Sequence, residues 1–220
     1  MRPALSDAVR GPALQACETV YNLGSKMSPP LNGAERINSF AVVTYIPGPL
    51  GKFLDQLRRD LEPASLAPRA HVTVLPPRAL REGVTAADAW LQLERMIPAF
   101  HVFPIRLGHI EIFPITNVVY LSVNQGLADL RVMHETLNTG AVAAQENFRY
   151  QPHVTLAQGL APEQAMEIAA SAQRLWNQFS GPRFFSAETF TFVQNTQKNL
   201  WVDLGEVALC EMVGIPIRKA

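Results

Sequence analysis

One four-residue pattern occurs twice in this chain: His71-Val72-Thr73-Val74 returns 82 residues later as His153-Val154-Thr155-Leu156. In an extended strand, side chains two apart point to the same side. Each copy therefore presents an imidazole and a hydroxyl together, and turns its aliphatic residues to the opposite, buried face. An imidazole ionises near ~6.5, so at neutral pH one ring can accept a proton from water while a second gives one to a leaving oxygen. Thr73 and Thr155 add neutral donors for the charge that builds on the nonbridging oxygens of a phosphate, without adding a competing base. A lone His-x-Thr carries almost no information. Two copies on expected strands, in register with an internal repeat, do carry it, because a core asks for neither residue at those places.

The elements around the motifs also repeat. Residues 40–46 (FAVVTYI) are β-branched and aromatic and end at Pro47-Gly48-Pro49, which predicts a strand and a turn. Phe53, Leu54, Leu57 and Leu61 then recur at helical spacing, closed by Pro63. A strand over 71–75 is expected to stop at Pro76-Pro77. Thr85 is placed to cap a helix whose stripe is Ala89, Trp90, Leu93, Met96 and Ile97, ended by Pro98, and a strand over 102–113 follows. After Pro114 the order restarts: strand 118–123, helix 127–137, strand 153–157, helix 162–179, and a strand over 184–194 with a partner at 200–204. An internal duplication accounts for this. It predicts two lobes, about 37–114 and 115–205, each a small sheet covered by helices, related by an approximate two-fold axis across a cleft. Residues 1–36 read as an extension, with a short helix over 12–23, a loop over 24–30 and Met27 as an alternative start; 206–220 read as a tail.

The bulk composition narrows the function classes. A length of 220 residues with 48% hydrophobic and 17% charged side chains suits one domain or two packed lobes. Lys plus Arg and Asp plus Glu both total 19, so no global positive field is present to hold duplex DNA. Cys17 and Cys210 lack metal or redox spacing and read as reduced thiols. No apolar run approaches the roughly 20 residues of a membrane span. No secretion signal is evident either, and the expected place is the cytoplasm.

With these motifs in hand, the chain resembles the two-histidine (2H) phosphoesterase superfamily, in particular the branch named for 2′-5′ RNA ligase and RNA 2′,3′-cyclic phosphodiesterase. The resemblance runs over about 37–205 and rests on His71-Val72-Thr73-Val74-Leu75-Pro76-Pro77 and on Tyr150-Gln151-Pro152-His153-Val154-Thr155-Leu156-Ala157, preceded by Phe148. It implies a bilobal α+β fold with two pseudo-symmetric antiparallel sheets and a central catalytic cleft. It also implies cleavage of 2′,3′-cyclic phosphates at an RNA end or on a small nucleotide, with His71 as proton donor and His153 as acceptor. Members of this branch often carry a basic residue soon after the second motif, where this chain has Ala157-Gln158-Gly159.

Other residues have readings of their own. Arg149 and Gln151 precede His153 at even spacing, and Arg69 precedes His71 likewise, so these could reach the cleft and hold phosphate. Arg78 and Arg81 are weaker candidates of the same kind. Tyr150 and Phe148 could stack on a base of a single-stranded end, although core packing suits Phe148 better. His101, His109 and His134 lack a repeat partner and read as structural or surface. A metal bound by His71 and His153 would want a third ligand, and no HxxxH or carboxylate cluster lies nearby, so neither metal nor cofactor is expected. The substrate-binding set is thus Thr73, Thr155, Arg149 and Tyr150, in a monomer. Two other functions use the same cleft: a noncatalytic RNA-binding module, and 2′-5′ ligation, the reverse reaction.

Overall fold

The computed structural model describes residues 35–62 and 69–211. The helix expected over 12–23, the loop over 24–30, Met27, Cys17, Pro63 and the tail beyond residue 211 lie outside them. The described elements are β1 (Arg36–Tyr45), α1 (Gly48–Leu61), β2 (His71–Arg78), α2 (Ala86–Met96), β3 (Phe103–Ile112), β4 (Val119–Gln125), α3 (Leu127–Leu137), β5 (His153–Ala157), α4 (Pro162–Gln178), β6 (Phe184–Ala187), β7 (Thr189–Thr196) and β8 (Trp201–Ala208). They form two four-stranded sheets of order β2-β1-β7-β8 and β5-β4-β3-β6. All ladders within them are antiparallel. The α+β architecture with two pseudo-symmetric sheets, expected from the repeat, is the one the chain adopts.

Each sheet draws strands from both sequence halves. β3 leaves β1 and β2 to pair with β4, while β7 leaves β4 and β5 to pair with β1. In both sheets the motif strand lies at one edge, the strand that precedes it in its own half is next, and the strand contributed by the other half is third. The helices cross as well, since α1 packs on β5 and α3 on β2. One continuous apolar core results, running through Leu54, Val72, Leu93, Leu121, Val154 and Phe190. Burying each such side chain contributes about 1.5–3 kcal/mol, and the stripe positions read from sequence supply much of it: Leu54, Leu57, Ala89, Leu93 and Ile97 are all buried. Thr85 caps α2 as expected, in a reciprocal capping box with Asp88.

Two strand expectations need correction. The single strand over 184–194 is two strands in different sheets: β6 pairs with β3, and after Glu188 β7 pairs with β1 and β8. The strand over 71–75 also continues through Pro76-Pro77 to Arg78. β2 is an edge strand, and its register against β1 shifts over this stretch, so the missing proline N–H groups interrupt no regular ladder. No helix among the described residues is long and apolar enough to cross a membrane.

Candidate active site

The two edge strands β2 and β5 approach each other directly, with Cα atoms of one within 8 Å of the other. Their burial patterns agree: His71, Thr73, His153 and Thr155 are partly open, while Val72, Val74, Val154 and Leu156 are buried. The period-two reading of the motifs therefore holds in both copies. All four open residues line one cleft of about 1030 Å³. A cyclic phosphate alone would occupy a small part of that space; it is large enough for an organic ligand the size of a nucleotide.

The backbone fixes both rings in the same way. Nδ1 of His71 donates to the Arg69 carbonyl at 2.7 Å, and Nδ1 of His153 to the Gln151 carbonyl at 2.7 Å. A carbonyl oxygen only accepts, so the neutral tautomer carries its proton on Nδ1 and leaves Nε2 as the nitrogen available for chemistry. Burial pushes His71 down to about 4, helped by the Arg58 and His153 charges and opposed by the Arg69 carbonyl and Asp55. His153 is also held below the ordinary imidazole range, chiefly by burial, with the Gln151 carbonyl opposing. Both rings of the free protein are thus neutral at neutral pH.

A tyrosine paired with a carboxylate backs each ring. The Tyr45 ring lies edge-on to His71 at 6.2 Å, and its hydroxyl donates to Asp203 Oδ1 at 2.5 Å. Asp203 Oδ2 takes a hydrogen bond from Arg69, whose guanidinium lies 3.8 Å above the Tyr45 ring. In the other lobe Tyr120 lies 5.3 Å from His153 and donates to Glu111 Oε2 at 2.8 Å, while Gln151 donates to the Tyr120 hydroxyl at 3.0 Å. Burial and the neighbouring carboxylate push both phenols up, Tyr120 to about 12. The residue whose carbonyl holds each imidazole is therefore itself held by a tyrosine–carboxylate pair.

The remaining sequence candidates divide. Arg149 and Phe148 line the cleft from exposed positions. Gln151 lines it while engaged with Tyr120. Tyr150 also lines it, yet its hydroxyl donates to the Thr73 carbonyl at 2.8 Å and its ring stacks on His134 at 3.9 Å. Its place is thus a strut between β5's approach and β2. Arg69 is committed to Asp203 and Tyr45. Arg78 is buried against Glu146 and Asn138, and Arg81 donates to the Gly140 carbonyl. His134 is structural as expected, between the Val74 carbonyl and Glu146, and His101 and His109 are on the surface. No cluster of three or more His, Cys, Asp or Glu suited to a metal occurs among the described residues.

Sequence reasoning missed Tyr45 and Asp203, which lie in remote strands, Tyr120 and Glu111, which pair across the β3–β4 ladder, and Arg58. The last had a signal. Leu54, Leu57, Arg58 and Leu61 form the i, i+3, i+4, i+7 stripe of α1, so a charge stands on its buried face.

The family model of the 2'-5' RNA ligase superfamily matches residues 46–199. A Geobacillus thermodenitrificans (strain NG80-2) protein named "Putative phosphoesterase" is 30% identical over 91 residues, which is 41% of this chain and 51% of that protein. A Bacillus cereus (strain B4264) protein of like name is 25% identical over 107 residues, 44% of this chain and 60% of that one. The matches thus span only about half of these curated relatives. Among solved structures, E. coli LigT complexed with NADP+ superposes with a TM-score of 0.55 at 16% identity, covering 81% of this chain and 99% of that one. TT0787 of Thermus thermophilus gives 0.55 at 18% identity, covering 79% and 99%. These two likenesses concern the fold.

Proposed function

The chain belongs to the 2'-5' RNA ligase superfamily, and from that premise we propose that it is a phosphoesterase that opens a 2′,3′-cyclic phosphate by acid–base catalysis with His71 and His153. The observation that carries this reading is the pair of identically anchored imidazoles on edge strands that meet in one cleft. His153 Nε2 takes a proton from water as the water oxygen bonds to phosphorus. His71 Nε2 gives a proton to the ribose oxygen as its bond to phosphorus breaks, leaving a phosphomonoester. The Thr73 and Thr155 hydroxyls donate to the nonbridging oxygens, where charge accumulates. Because both rings are neutral in the free protein, His71 must acquire its proton when the substrate's negative charge arrives and favours the imidazolium. The assignment of donor and acceptor follows the family resemblance.

The cleft exceeds what the phosphate requires, and the exposed Arg149 and Phe148 at its rim suit a nucleotide or the end of a single-stranded RNA. Tyr150 acts in this reading by holding β2 against β5. The test is turnover of 2′,3′-cyclic mononucleotides and cyclic-ended oligonucleotides in the presence of a chelator. Wild-type protein should produce monoesters, and Thr73→Val and Thr155→Val should each slow turnover by about 10–100-fold. RNA binding with no turnover of any member of this panel would contradict the proposal and leave a noncatalytic binding module.

A further inference from the structure

Helix α1 carries a cation at a position where its stripe calls for an aliphatic side chain. Arg58 is only 8% exposed, one turn from Leu54 and beside Leu57. Burying a guanidinium costs free energy that burying a leucine would not, so such a residue asks for a reason. Unlike those leucines, Arg58 lines the cleft that holds both motif histidines, and its charge acts on His71. The carboxylates of Asp55 and Glu62 act on Arg58 in turn. Arg149 also lines the cleft, from an exposed position at the rim.

We propose that Arg58 is a substrate-contacting residue whose guanidinium binds nonbridging oxygens of the reacting phosphate from the α1 side of the cleft. The assignment rests on the two-histidine reading of this site and adds a residue outside both motifs. A planar fork of N–H donors matches two phosphate oxygens, which a hydroxyl cannot do. The same charge ties substrate binding to the proton. In the free protein Arg58 and His153 oppose a proton on His71, Asp55 favours one, and the Arg69–Asp203–Tyr45 group stands behind the ring. A phosphate anion on Arg58 offsets its charge, so His71 gains the proton it will donate only when there is something to donate it to. Binding of an anion near neutral pH should therefore take up protons.

The test uses the full chain, with inorganic phosphate as probe and a 2′,3′-cyclic mononucleotide as substrate. Arg58→Met keeps the volume and removes the charge, and because the Asp55 and Glu62 carboxylates then lose their cation, some stability is lost with it. It should bind phosphate about 10–100-fold more weakly, lose the proton uptake seen by calorimetry in buffers of different ionisation heat, and show a raised KM and a lowered kcat. Arg58→Lys, which keeps the charge, should retain phosphate binding at reduced affinity and serves as the deciding variant if the methionine protein does not fold. Wild-type phosphate affinity and kcat/KM in either variant would overturn the proposal. That failure is separable from failure of the two-histidine reading, which is read from His71→Ala and His153→Ala in the same assay.

Discussion

At the scale of single residues, the proposed chemistry turns on two rings that would hold opposite protonation states during a turnover and hold the same one beforehand. The Nδ1 bonds to the Arg69 and Gln151 carbonyls settle which nitrogen reacts, and burial settles the charge. Stability then depends on pH. His71 ionises at about 4 in the fold and near ~6.5 when unfolded. Between those values the unfolded chain binds more protons, so this contribution to stability is whole above ~6.5 and is lost as pH falls toward the folded value. Thermal unfolding of the wild type should therefore weaken from about pH 6.5 to 4 more steeply than that of His71→Gln; equal slopes would contradict the low folded value. The acid limb of kcat/KM should likewise lie below ~6.5, and that of kcat higher, since bound phosphate favours imidazolium. Those limbs belong to the pair of rings and not to either one alone.

At the scale of elements, positions decided by local pattern were legible in the sequence and positions decided by remote partners were not. The α1 and α2 stripes, the Thr85 cap and both motif strands follow from spacing alone. The β6–β7 switch does not, because 184–194 contains no glycine or proline and nothing in Ser186-Ala187-Glu188-Thr189 marks a change of sheet. The prolines of β2 misled for a related reason: whether a missing N–H matters depends on whether that strand is an edge. In the site, the His and Thr residues were visible because the duplication repeats them. The Tyr45–Asp203 pair could not be, since it joins strands that only the fold brings together, whereas Glu111 and Tyr120 face each other across two consecutive strands with no motif to mark them. Arg149 and Gln151 were placed at the cleft by alternation and Tyr150 as a stacking ring, but Tyr150's bond to Thr73 needed coordinates. One close approach also depends on the fold: a Cβ on Gly51 would collide with the Ile46 carbonyl oxygen, where α1 leaves β1. Gly51→Ala should destabilise the protein by more than about 2 kcal/mol in urea unfolding, despite alanine's better helix propensity. A neutral or stabilising result would show that α1 can shift away from β1 freely.

Across the whole molecule, neither sequence half can complete a sheet. Residues 37–114 contain β1 and β2 without β7, and they contain β3 without β4; residues 115–205 lack the reciprocal partners. The main core, the packing of α1 on β5 and α3 on β2, and the Tyr150 strut all cross between halves. The two fragments should therefore be unstructured by circular dichroism when expressed apart, and the intact chain should unfold in one cooperative transition. A fragment with a native-like spectrum and its own transition would contradict this interdependence. The same interdependence is what brings two copies of one motif to a common cleft.

The proposed reaction requires both rings to work on one phosphorus, and a double-variant cycle on a 2′,3′-cyclic mononucleotide measures this most directly. His71→Ala and His153→Ala should each lower kcat/KM by about 10²–10⁴-fold, and the double variant should fall little further than the worse single one, since groups that act as a unit are lost together. Wild-type turnover in either single variant, or losses that multiply in the double, would contradict it.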